Sequence, residues 1–369
     1  MVKERYDLQA TLLLEDGTRL QGAAAGAPGV TVGELSVYNG HDAVHRLTDP
    51  AAAGQICAFT QPSVGTWGVN TEHCETGVPW LRGLIAREIT TIPSNWRSAE
   101  TLDFFLRRSF ITAISGIDTL ELARYAAEKQ IKRCAIVASA DFNGWDALLD
   151  QVRAYRYNDT FPAAVKAPVS HGSGKSAAAH VAVCDFGSSH GLTRLLNAMR
   201  VRVTLLPPYD APTIFMRDKY DALILPDGAG SPRSHPGITE GLRGLIAEGV
   251  PMLGFGLGFR FITLAAGAKL RPMREPHRGA WLPVTDLQTD SVLYTWQSHG
   301  QTPEEPLPQG LTVTHRNAAD DTVEGFVLEG KPVAAVHFLP CPDMRLGGTG
   351  EIFNMLFNLL RQGGASYAG

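Results

Sequence analysis

The segment Pro251-Met-Leu-Gly-Phe-Gly-Leu-Gly-Phe-Arg260 carries the clearest signal of the fold class. It predicts a buried strand, then a tight turn flanked by glycines, and then a helix. This is the shape of a nucleophile elbow, in which flanking glycines let the backbone bend sharply and expose the central side chain. The central residue is Gly256, which has no side chain. The sequence therefore predicts a platform for covalent catalysis that has lost its reactive group.

Length and composition indicate a globular protein of two domains. A chain of 369 residues is too long for one ordinary hydrophobic core. Its contents of 44% hydrophobic and 19% charged residues are typical of globular proteins. The net charge of −4 predicts no special attraction to nucleic acid or to an anionic membrane. The highly charged start, Met1–Asp7, lacks the apolar stretch of a signal peptide, and no apolar run approaches the ~18 residues of a membrane span. We expect a cytoplasmic protein without a nucleic-acid or membrane partner.

The cysteines and glycine-rich motifs predict neither a metal site nor a cofactor. The five cysteines are scattered and odd in number, which is typical of reduced thiols, and Cys57, Cys134 and Cys184 lie in strand-like runs that predict core positions. No C-x-x-C pair or His/Cys cluster is visible in the sequence. The run Gly172–Ser176 resembles the tail of a phosphate loop, but Val169 stands where that motif needs glycine. A linker is the better interpretation.

The first part of the chain predicts a mixed α/β domain, residues 1–157, that is richer in strands at its start. The turn Glu15-Asp-Gly-Thr18 after Ala10–Leu14 is a strong hairpin signal. Further predicted strands are 30–38, 55–60, 83–92 and 132–138, and predicted helices are 102–109 and 120–129. Residues 158–180 are rich in Pro, Gly, Ser and Ala and are predicted to form a linker.

The remainder, residues 181–369, alternates strands and helices and predicts an open parallel sheet with helices on both faces. Predicted strands include 181–185, 202–206, 222–226, 252–255 and 333–336. Sites in such sheets lie beyond the carboxyl ends of the strands. Three segments fall there: the glycine-rich loop Asp227–Pro232, the turn at Gly256, and the segment after Val336.

Short motifs along nearly the whole chain carry a resemblance to a known family. Those before the linker include Leu14-Glu-Asp-Gly-Thr18, Leu47-Thr-Asp-Pro50 and Pro93-Ser-Asn-Trp-Arg-Ser98. Those after it include Asp185-Phe-Gly187, Asp227–Pro232, Gly254–Gly258, Gln297-Ser-His-Gly300 and Lys331-Pro332. Together they resemble the small subunit of carbamoyl phosphate synthetase, which carries a class I glutamine amidotransferase domain. The resemblance implies an N-terminal domain particular to that subunit, followed by an amidotransferase-like domain.

The resemblance also implies a catalytic triad, and this chain departs from it at all three positions. In active relatives the elbow cysteine attacks the glutamine amide, a histidine moves protons, and a glutamate orients that histidine. The elbow pattern Gly-x-Cys-x-Gly-His-Gln corresponds here to residues 254–260, so that cysteine is replaced by Gly256. The His-Pro-Glu pattern, aligned through Lys331-Pro332, corresponds to Leu339-Pro340-Cys341. Because the thioester intermediate needs a thiolate, we expect no glutaminase activity.

The glutamine pocket has changed as well. The positions that the resemblance assigns to a vestigial pocket are Gly228, Gly230, Leu257, Arg260, Ser298, His299 and Gly300. Arg260 replaces a glutamine, and its guanidinium could bind a carboxylate or phosphate near the helix N-terminus, although an ordinary salt bridge is the preferred interpretation. His299 is interpreted as a loop-packing residue. We expect Phe259 and Leu339 to fill the vacated space by burying each other.

A relocated nucleophile is a weaker hypothesis. Cys341 stands at the old glutamate position, with His337 upstream and His299 elsewhere in the sequence, and a Cys–His pair is recognised by geometry and not by chain order. However, Cys341 lies between two prolines and lacks an elbow, so a nearby oxyanion hole is not expected.

Three functions remain in order of preference. The first is a glutaminase-dead small subunit that acts as a structural or regulatory partner of a carbamoyl phosphate synthetase-like large, ATP-grasp subunit using free ammonia. Some ammonia-dependent relatives have lost the elbow cysteine and kept the domain. The second is a repurposed enzyme or ligand-binding protein that uses the remodelled pocket. The third is a still active glutamine-hydrolysing subunit.

Overall fold

The computed structural model describes residues 8–40, 42–70, 74–139, 141–157, 161, 164–172, 177–187, 190–340 and 347–362. The chain forms two compact units, residues 1–158 and 159–369. Residues 173–176 of the phosphate-loop-like run and Cys341 lie outside the described residues. None of the helices in the described part of the chain is long and apolar enough to cross a membrane.

The first unit is built on a closed barrel of seven strands. The strands are β1 (Gln9–Leu14), β2 (Arg19–Gly26), β3 (Gly29–Tyr38), β4 (Gln55–Phe59), β5 (Gly83–Ile85), β6 (Thr112–Ser115) and β7 (Arg133–Ala138). Their order around the barrel is β1-β2-β6-β5-β4-β3-β7. The helices of this unit are α1 (Ala43–Thr48), α2 (Leu102–Arg108), α3 (Thr119–Lys129) and α4 (Trp145–Ala154). The mixed α/β character is confirmed, whereas closure of the sheet was not foreseen.

Local chemistry explains the first hairpin and the barrel core. Gly17 has a φ of +96°, and the Thr18 amide donates to Asp16 Oδ1 at 2.9 Å, so the predicted turn joins antiparallel β1 and β2. The barrel is filled by apolar side chains with no exposed surface, which are Leu12, Leu14, Ile56, Ile85, Ile114 and Ile136. Predicted strand 83–92 is shorter in the structure, because pairing in β5 ends at Ile85.

The second unit is a ten-stranded sheet. Its strands are β8 (Val169–His171), β9 (Ala179–Cys184), β10 (Val201–Leu206), β11 (Ala222–Leu225), β12 (Met252–Phe255), β13 (Leu270–Asp286), β14 (Ser291–Pro303), β15 (Leu311–Asn317), β16 (Val323–Leu328) and β17 (Val333–Val336). Their order is β14-β13-β15-β16-β17-β12-β11-β9-β10-β8. The helices are α5 (His190–Ala198), α6 (Ala211–Arg217), α7 (Pro236–Glu248), α8 (Leu257–Ala265) and α9 (Gly347–Gln362).

Parallel strands form the middle of this sheet, and helices cover both of its faces. The pairs β10–β9, β9–β11, β11–β12 and β12–β17 are parallel, whereas the strands flanking them pair antiparallel. Along β11, Leu223 and Leu225 face a core that includes residues of α6, α7 and α8, while Ile224 faces a core that includes residues of α5 and α9. The predicted sheet with helices on both faces is confirmed, with antiparallel additions at both edges.

The predicted linker is partly structured. Its residues Val169–His171 form β8, which pairs with β10, and β9 begins at Ala179. Phe161 and Ala164 are buried in the core of the second unit. The expectation of a plain linker over 158–180 is therefore wrong for these residues, because apolar side chains between the prolines are buried in the core of the second unit.

Gly258 shows why the elbow needs flanking glycines. A β-carbon at this position would lie 1.9 Å from the carbonyl oxygen of Leu225, since α8 starts directly against β11. The Gly258 amide donates to the Pro226 carbonyl at 3.0 Å, which fixes that approach. The contact is with backbone, so a side chain cannot be accommodated by a rotamer change.

We predict that Gly258→Ala lowers the free energy of unfolding by about 3 kcal/mol, because the helix must move away from the strand. The matched control is Gly244→Ala in α7, where a β-carbon would meet nothing within 4 Å. That change should be neutral or stabilise by up to about 1 kcal/mol through helix propensity. Urea denaturation of the two variants followed by circular dichroism measures the difference, and equal effects would contradict the packing explanation.

Candidate functional site

The three segments that were predicted to meet at the carboxyl edge of the sheet follow adjacent strands. The loop Asp227–Pro232 follows β11, Gly256 follows β12, and Leu339 comes shortly after β17; these three strands are neighbours in the sheet. Gly256 has φ +56° and ψ −113°, a conformation that L side chains rarely adopt. The predicted strand, sharp turn and helix are therefore present, with Gly256 at the apex.

The space above Gly256 is occupied by two other residues. A β-carbon built on Gly256 would lie 2.5 Å from Asp227 Oδ1 and 2.6 Å from Leu339 Cδ2. The expected filling by Phe259 and Leu339 is half right. Phe259 points into the α6–α8 core and stacks on the His337 ring with 4.3 Å between centroids, so Asp227 takes the place that was predicted for it.

Asp227 engages the first backbone donor of the elbow helix. The Leu257 amide donates to Asp227 Oδ1 at 2.8 Å, and this hydrogen bond is buried. A carboxylate at this place is favoured by the partial positive charge of a helix N-terminus. In an elbow, the N–H of the residue after the nucleophile is one of the donors that stabilise an oxyanion. Here that donor is already bound by a side chain of the same protein.

The remaining predicted residues of the loop and helix lie around this contact. Gly230 has a φ of +99°, and its carbonyl accepts a hydrogen bond of 3.3 Å from Arg260 Nη1. A β-carbon on Gly228 would lie 2.4 Å from Phe186 Cβ and 3.3 Å from Leu257 Cδ2, so this glycine permits close packing. Arg260 thus ties the elbow helix to the 227–232 loop.

Ser298, His299 and Gly300 lie in a strand and not in a loop. They belong to β14, which forms a long antiparallel hairpin with β13 in which His277 pairs with His299 and Arg278 with Ser298. Side chains alternate along a strand, so His299 faces the opposite side from Ser298 and Gly300. His299 is 3% exposed. The interpretation as a loop residue is therefore wrong, although its role in packing and hydrogen bonding is confirmed.

The structure reveals a largely buried group of polar side chains that the sequence did not predict. We call it the imidazole cluster; its members are His277, His299, Glu324 and His337. Glu324 and His337 have no exposed surface. Glu324 Oε1 lies 3.1 Å from His277 Nδ1, and Glu324 Oε2 lies 3.4 Å from His299 Nε2. His337 stacks on His299 with 3.5 Å between ring centroids.

Burial and charge set the protonation of this cluster. Burial holds the pKa of His337 well below its usual value, and electrostatic interactions with His299 and Arg260 act in the same direction, so this ring is neutral. Burial also opposes protonation of His277, but the hydrogen bond with Glu324 and its charge outweigh this and raise the pKa of His277. Burial disfavours the Glu324 carboxylate, yet the charge of His299 and the hydrogen bond from His277 lower its pKa.

A signal for part of this cluster was present in the sequence. Val323-Glu-Gly-Phe-Val-Leu328 reads as an apolar strand interrupted by one charge, and a carboxylate in such a run needs a partner when buried. The partners could not be found in the same way, since His277, His299 and His337 come from three other strands or their ends. The three core cysteines are confirmed, because Cys57, Cys134 and Cys184 are buried in β4, β7 and β9.

Comparison with known proteins identifies the family. The profile of the carbamoyl-phosphate synthase small chain, CPSase domain, matches residues 12–136, and that of class I glutamine amidotransferases matches residues 182–359. The pyrimidine-specific small chain of carbamoyl phosphate synthase from Bacillus subtilis is 32% identical over 335 residues, covering 90% of this chain and 91% of the relative. This chain belongs to the carbamoyl phosphate synthase small-chain family.

Other relatives agree with this small-chain assignment. The carbamoyl phosphate synthase small chain of Listeria monocytogenes is 34% identical and covers 89% of this chain and 90% of its own length. Among solved structures, a glutamine amidotransferase from Thermotoga maritima covers 50% of this chain and 96% of its own, at 14% identity and a TM-score of 0.38. The family models and the small-chain relatives confirm the resemblance stated from the sequence motifs, and the sheet described above confirms the fold class that it implied.

Proposed function

We propose that this small-chain homologue hydrolyses no glutamine and serves as a structural or regulatory partner of an ATP-grasp large subunit that uses free ammonia. The observation that carries the proposal is the apex of the elbow. Gly256 offers no thiol, Asp227 binds the Leu257 amide, and Leu339 fills the adjoining space. Acyl transfer of the amide needs both a nucleophile and an oxyanion donor, so two separate requirements are unmet.

The neutral ring of His337 does not supply the missing chemistry. It lies between the rings of Phe259 and His299, at centroid distances of 4.3 Å and 3.5 Å. A general base must come within hydrogen-bond reach of the proton that it removes. A fully buried ring held between two other rings is better suited to packing than to proton transfer with a substrate.

Membership of the small-chain family implies a large synthetase subunit as the general kind of partner. The first unit offers a surface for docking, since three large apolar side chains are exposed: Trp67 by 53%, Ile92 by 82% and Trp96 by 87%. The segments that carry them run side by side, because the Ser94 amide donates to the Thr66 carbonyl at 2.8 Å and Val69 bridges to Glu100. Exposed apolar groups held together in this way are typical of interaction sites.

The experiment that tests this proposal is reconstitution with a carbamoyl phosphate synthase large subunit of the ATP-grasp type. We expect the two chains to co-elute in size-exclusion chromatography at equal stoichiometry. We also expect this chain to increase ATP- and bicarbonate-dependent carbamoyl phosphate formation from ammonium chloride or to extend the lifetime of the large subunit. Failure of the two chains to associate would refute a partner role.

We predict that Trp96→Ala weakens binding of the large subunit by at least about tenfold, because exposed tryptophans commonly dominate interface energies. Leu120→Ala in α3 is the control, since Leu120 is another exposed apolar residue of the same unit at 55%. It should leave the dissociation constant unchanged. Isothermal titration calorimetry measures both, and equal losses or no loss at Trp96 would contradict this assignment of the docking surface.

A further inference from the structure

The imidazole cluster has hydrogen-bond partners that a neutral histidine cannot satisfy. A neutral imidazole carries one N–H and one lone pair, so it needs one acceptor and one donor. In this cluster both His277 and His299 face oxygen atoms at both ring nitrogens. His299 must therefore hold a second proton or another cation. The same holds for His277 unless its Nδ1 accepts the longer hydrogen bond from Asn317 Nδ2, at 3.4 Å.

In each ring one nitrogen, here called inner, faces Glu324, and the other, here called outer, points away from it. Both outer nitrogens have clear acceptors. His277 Nε2 lies 3.1 Å from Asp320 Oδ2, and His299 Nδ1 lies 3.1 Å from the carbonyl oxygen of Gln301. Each outer nitrogen therefore carries the proton of a neutral ring. The lone pairs are then on His277 Nδ1 and His299 Nε2, which both point toward the Glu324 carboxylate.

The inner nitrogen of His299 faces an amide oxygen and not an amide nitrogen, because neighbouring hydrogen bonds fix the orientation of the Gln297 amide. Thr295 Oγ1 donates to the Leu282 carbonyl at 2.9 Å and so accepts from Gln297 Nε2 at 3.0 Å. This turns Gln297 Oε1 toward His299 Nε2, at 3.1 Å. His299 Nε2 is thus surrounded by the oxygens of Gln297 and Glu324.

His277 Nδ1 has a similar environment. Its nearest partner is Glu324 Oε1 at 3.1 Å, and Asn317 Nδ2 lies farther away at 3.4 Å. Glu324 Oε2 is buried without a hydrogen-bond partner among the described residues. A buried carboxylate oxygen and two lone pairs that converge on it are the donor set of a cation site.

We propose that His277 Nδ1, His299 Nε2 and the Glu324 carboxylate bind a divalent transition metal ion, with zinc as the best match in ligand type. One ligand atom from each residue lies within 4.8 Å of the other two. Tetrahedral zinc with ligands at about 2.1 Å places them about 3.4 Å apart. The two nitrogen–oxygen distances of 3.1 and 3.4 Å match this spacing, each to a different oxygen of Glu324, and the other ligand pairs must close from at most 4.8 Å.

Charge and the surrounding residues favour this assignment. A dication with two neutral imidazoles has the same charge as two imidazolium rings, so the metal replaces two inner protons without changing the electrostatics of the core. Asp320 and the Gln301 carbonyl would accept hydrogen bonds from the outer N–H groups, as carboxylates and carbonyls commonly do for metal-binding histidines. Gln297 Oε1, or a water molecule, would supply the fourth ligand. The proposal is independent of the docking role.

The test uses the full chain without a histidine tag, freed of metal with EDTA and dialysed. Titration with Co²⁺ should give the visible absorption bands of a tetrahedral site that saturate at one equivalent, and Zn²⁺ should abolish them. Glu324→Gln and His277→Asn should weaken Co²⁺ binding at least about 100-fold, while Asp320→Asn should weaken it about 10- to 100-fold. His171→Gln, at the sheet edge in β8, should bind like the unaltered chain.

Circular dichroism separates loss of the site from loss of the fold. If a ligand variant fails to fold, the partly exposed Asp320 still provides a test, because its side chain is 40% exposed. Folded unaltered protein that binds no Co²⁺ or Zn²⁺ at one equivalent would overturn the proposal. So would unchanged binding in folded Glu324→Gln and His277→Asn.

Discussion

Gly256→Cys alone is expected to leave the chain without measurable glutaminase activity. The new β-carbon would meet Asp227 Oδ1 at 2.5 Å and Leu339 Cδ2 at 2.6 Å, in a backbone conformation of φ +56° that disfavours side chains. The Leu257 amide is engaged by Asp227, and Leu339 stands where the resemblance places the proton-transferring histidine. Loss of one triad member commonly costs about 10⁴-fold or more in rate, so a thiol alone is insufficient.

Stepwise restoration tests this explanation. Leu339→His and Cys341→Glu are added to Gly256→Cys first, and Asp227→Ala is added last to free the Leu257 amide. We expect glutamate release in the presence of the large subunit to appear only after the Asp227 change. Turnover by the single Gly256→Cys variant, sensitive to thiol alkylation, would show that neither Asp227 nor Leu339 blocks the site.

Glu324→Ala is expected to lower the free energy of unfolding by about 3–5 kcal/mol. The carboxylate is fully buried and contacts His277 and His299, so its removal leaves one buried and one largely buried ring facing acceptors without their counter-charge. The measurement is urea denaturation in the presence of EDTA, so that bound metal does not contribute to the difference.

The exposed Glu304 is the matched control. Its backbone amide donates to the Lys269 carbonyl at 2.8 Å, and a change in its side chain leaves this hydrogen bond intact. Glu304→Gln should change the free energy of unfolding by less than about 0.5 kcal/mol. If Glu324→Ala had an equally small effect, the imidazole cluster would not be a stabilising charge network.

The elbow could be predicted because its signals are local. A short apolar run gives the strand, and Gly254, Gly256 and Gly258 give a turn that only glycine allows at such close approach. The alternation of strands and helices around it then fixes the class of fold. The carboxyl edge of the sheet follows from that class, which is why the three site segments were placed together correctly.

The contents of the elbow could not be predicted in this way. Asp227 reaches Leu257 across 30 positions of sequence, and nothing local indicates that its side chain binds that amide rather than solvent. Phe259 is apolar and follows the elbow, which favours it equally for filling the vacated space or for packing elsewhere. The choice depends on the His337 ring, which is supplied by a different strand end.

The imidazole cluster could not be predicted because two of its histidines lie in the long, irregular hairpin β13–β14. Register shifts between Pro272 and His277 and between Gly279 and Leu282 interrupt the alternation of apolar and polar residues that marks a strand. His299 was interpreted as a loop residue from its place in the family motif Gln297-Ser-His-Gly300. Its partner His277 lies across the hairpin, and that pairing is decided by register and not by spacing in the sequence.

The most direct test of the central claim is the nitrogen source of the assembled complex. Carbamoyl phosphate formation by this chain with its large subunit is measured with saturating glutamine or with ammonium chloride, in the presence of ATP and bicarbonate. We predict synthesis from ammonium chloride and none above background from glutamine, with no release of glutamate. Glutamine-supported synthesis accompanied by stoichiometric glutamate would contradict it.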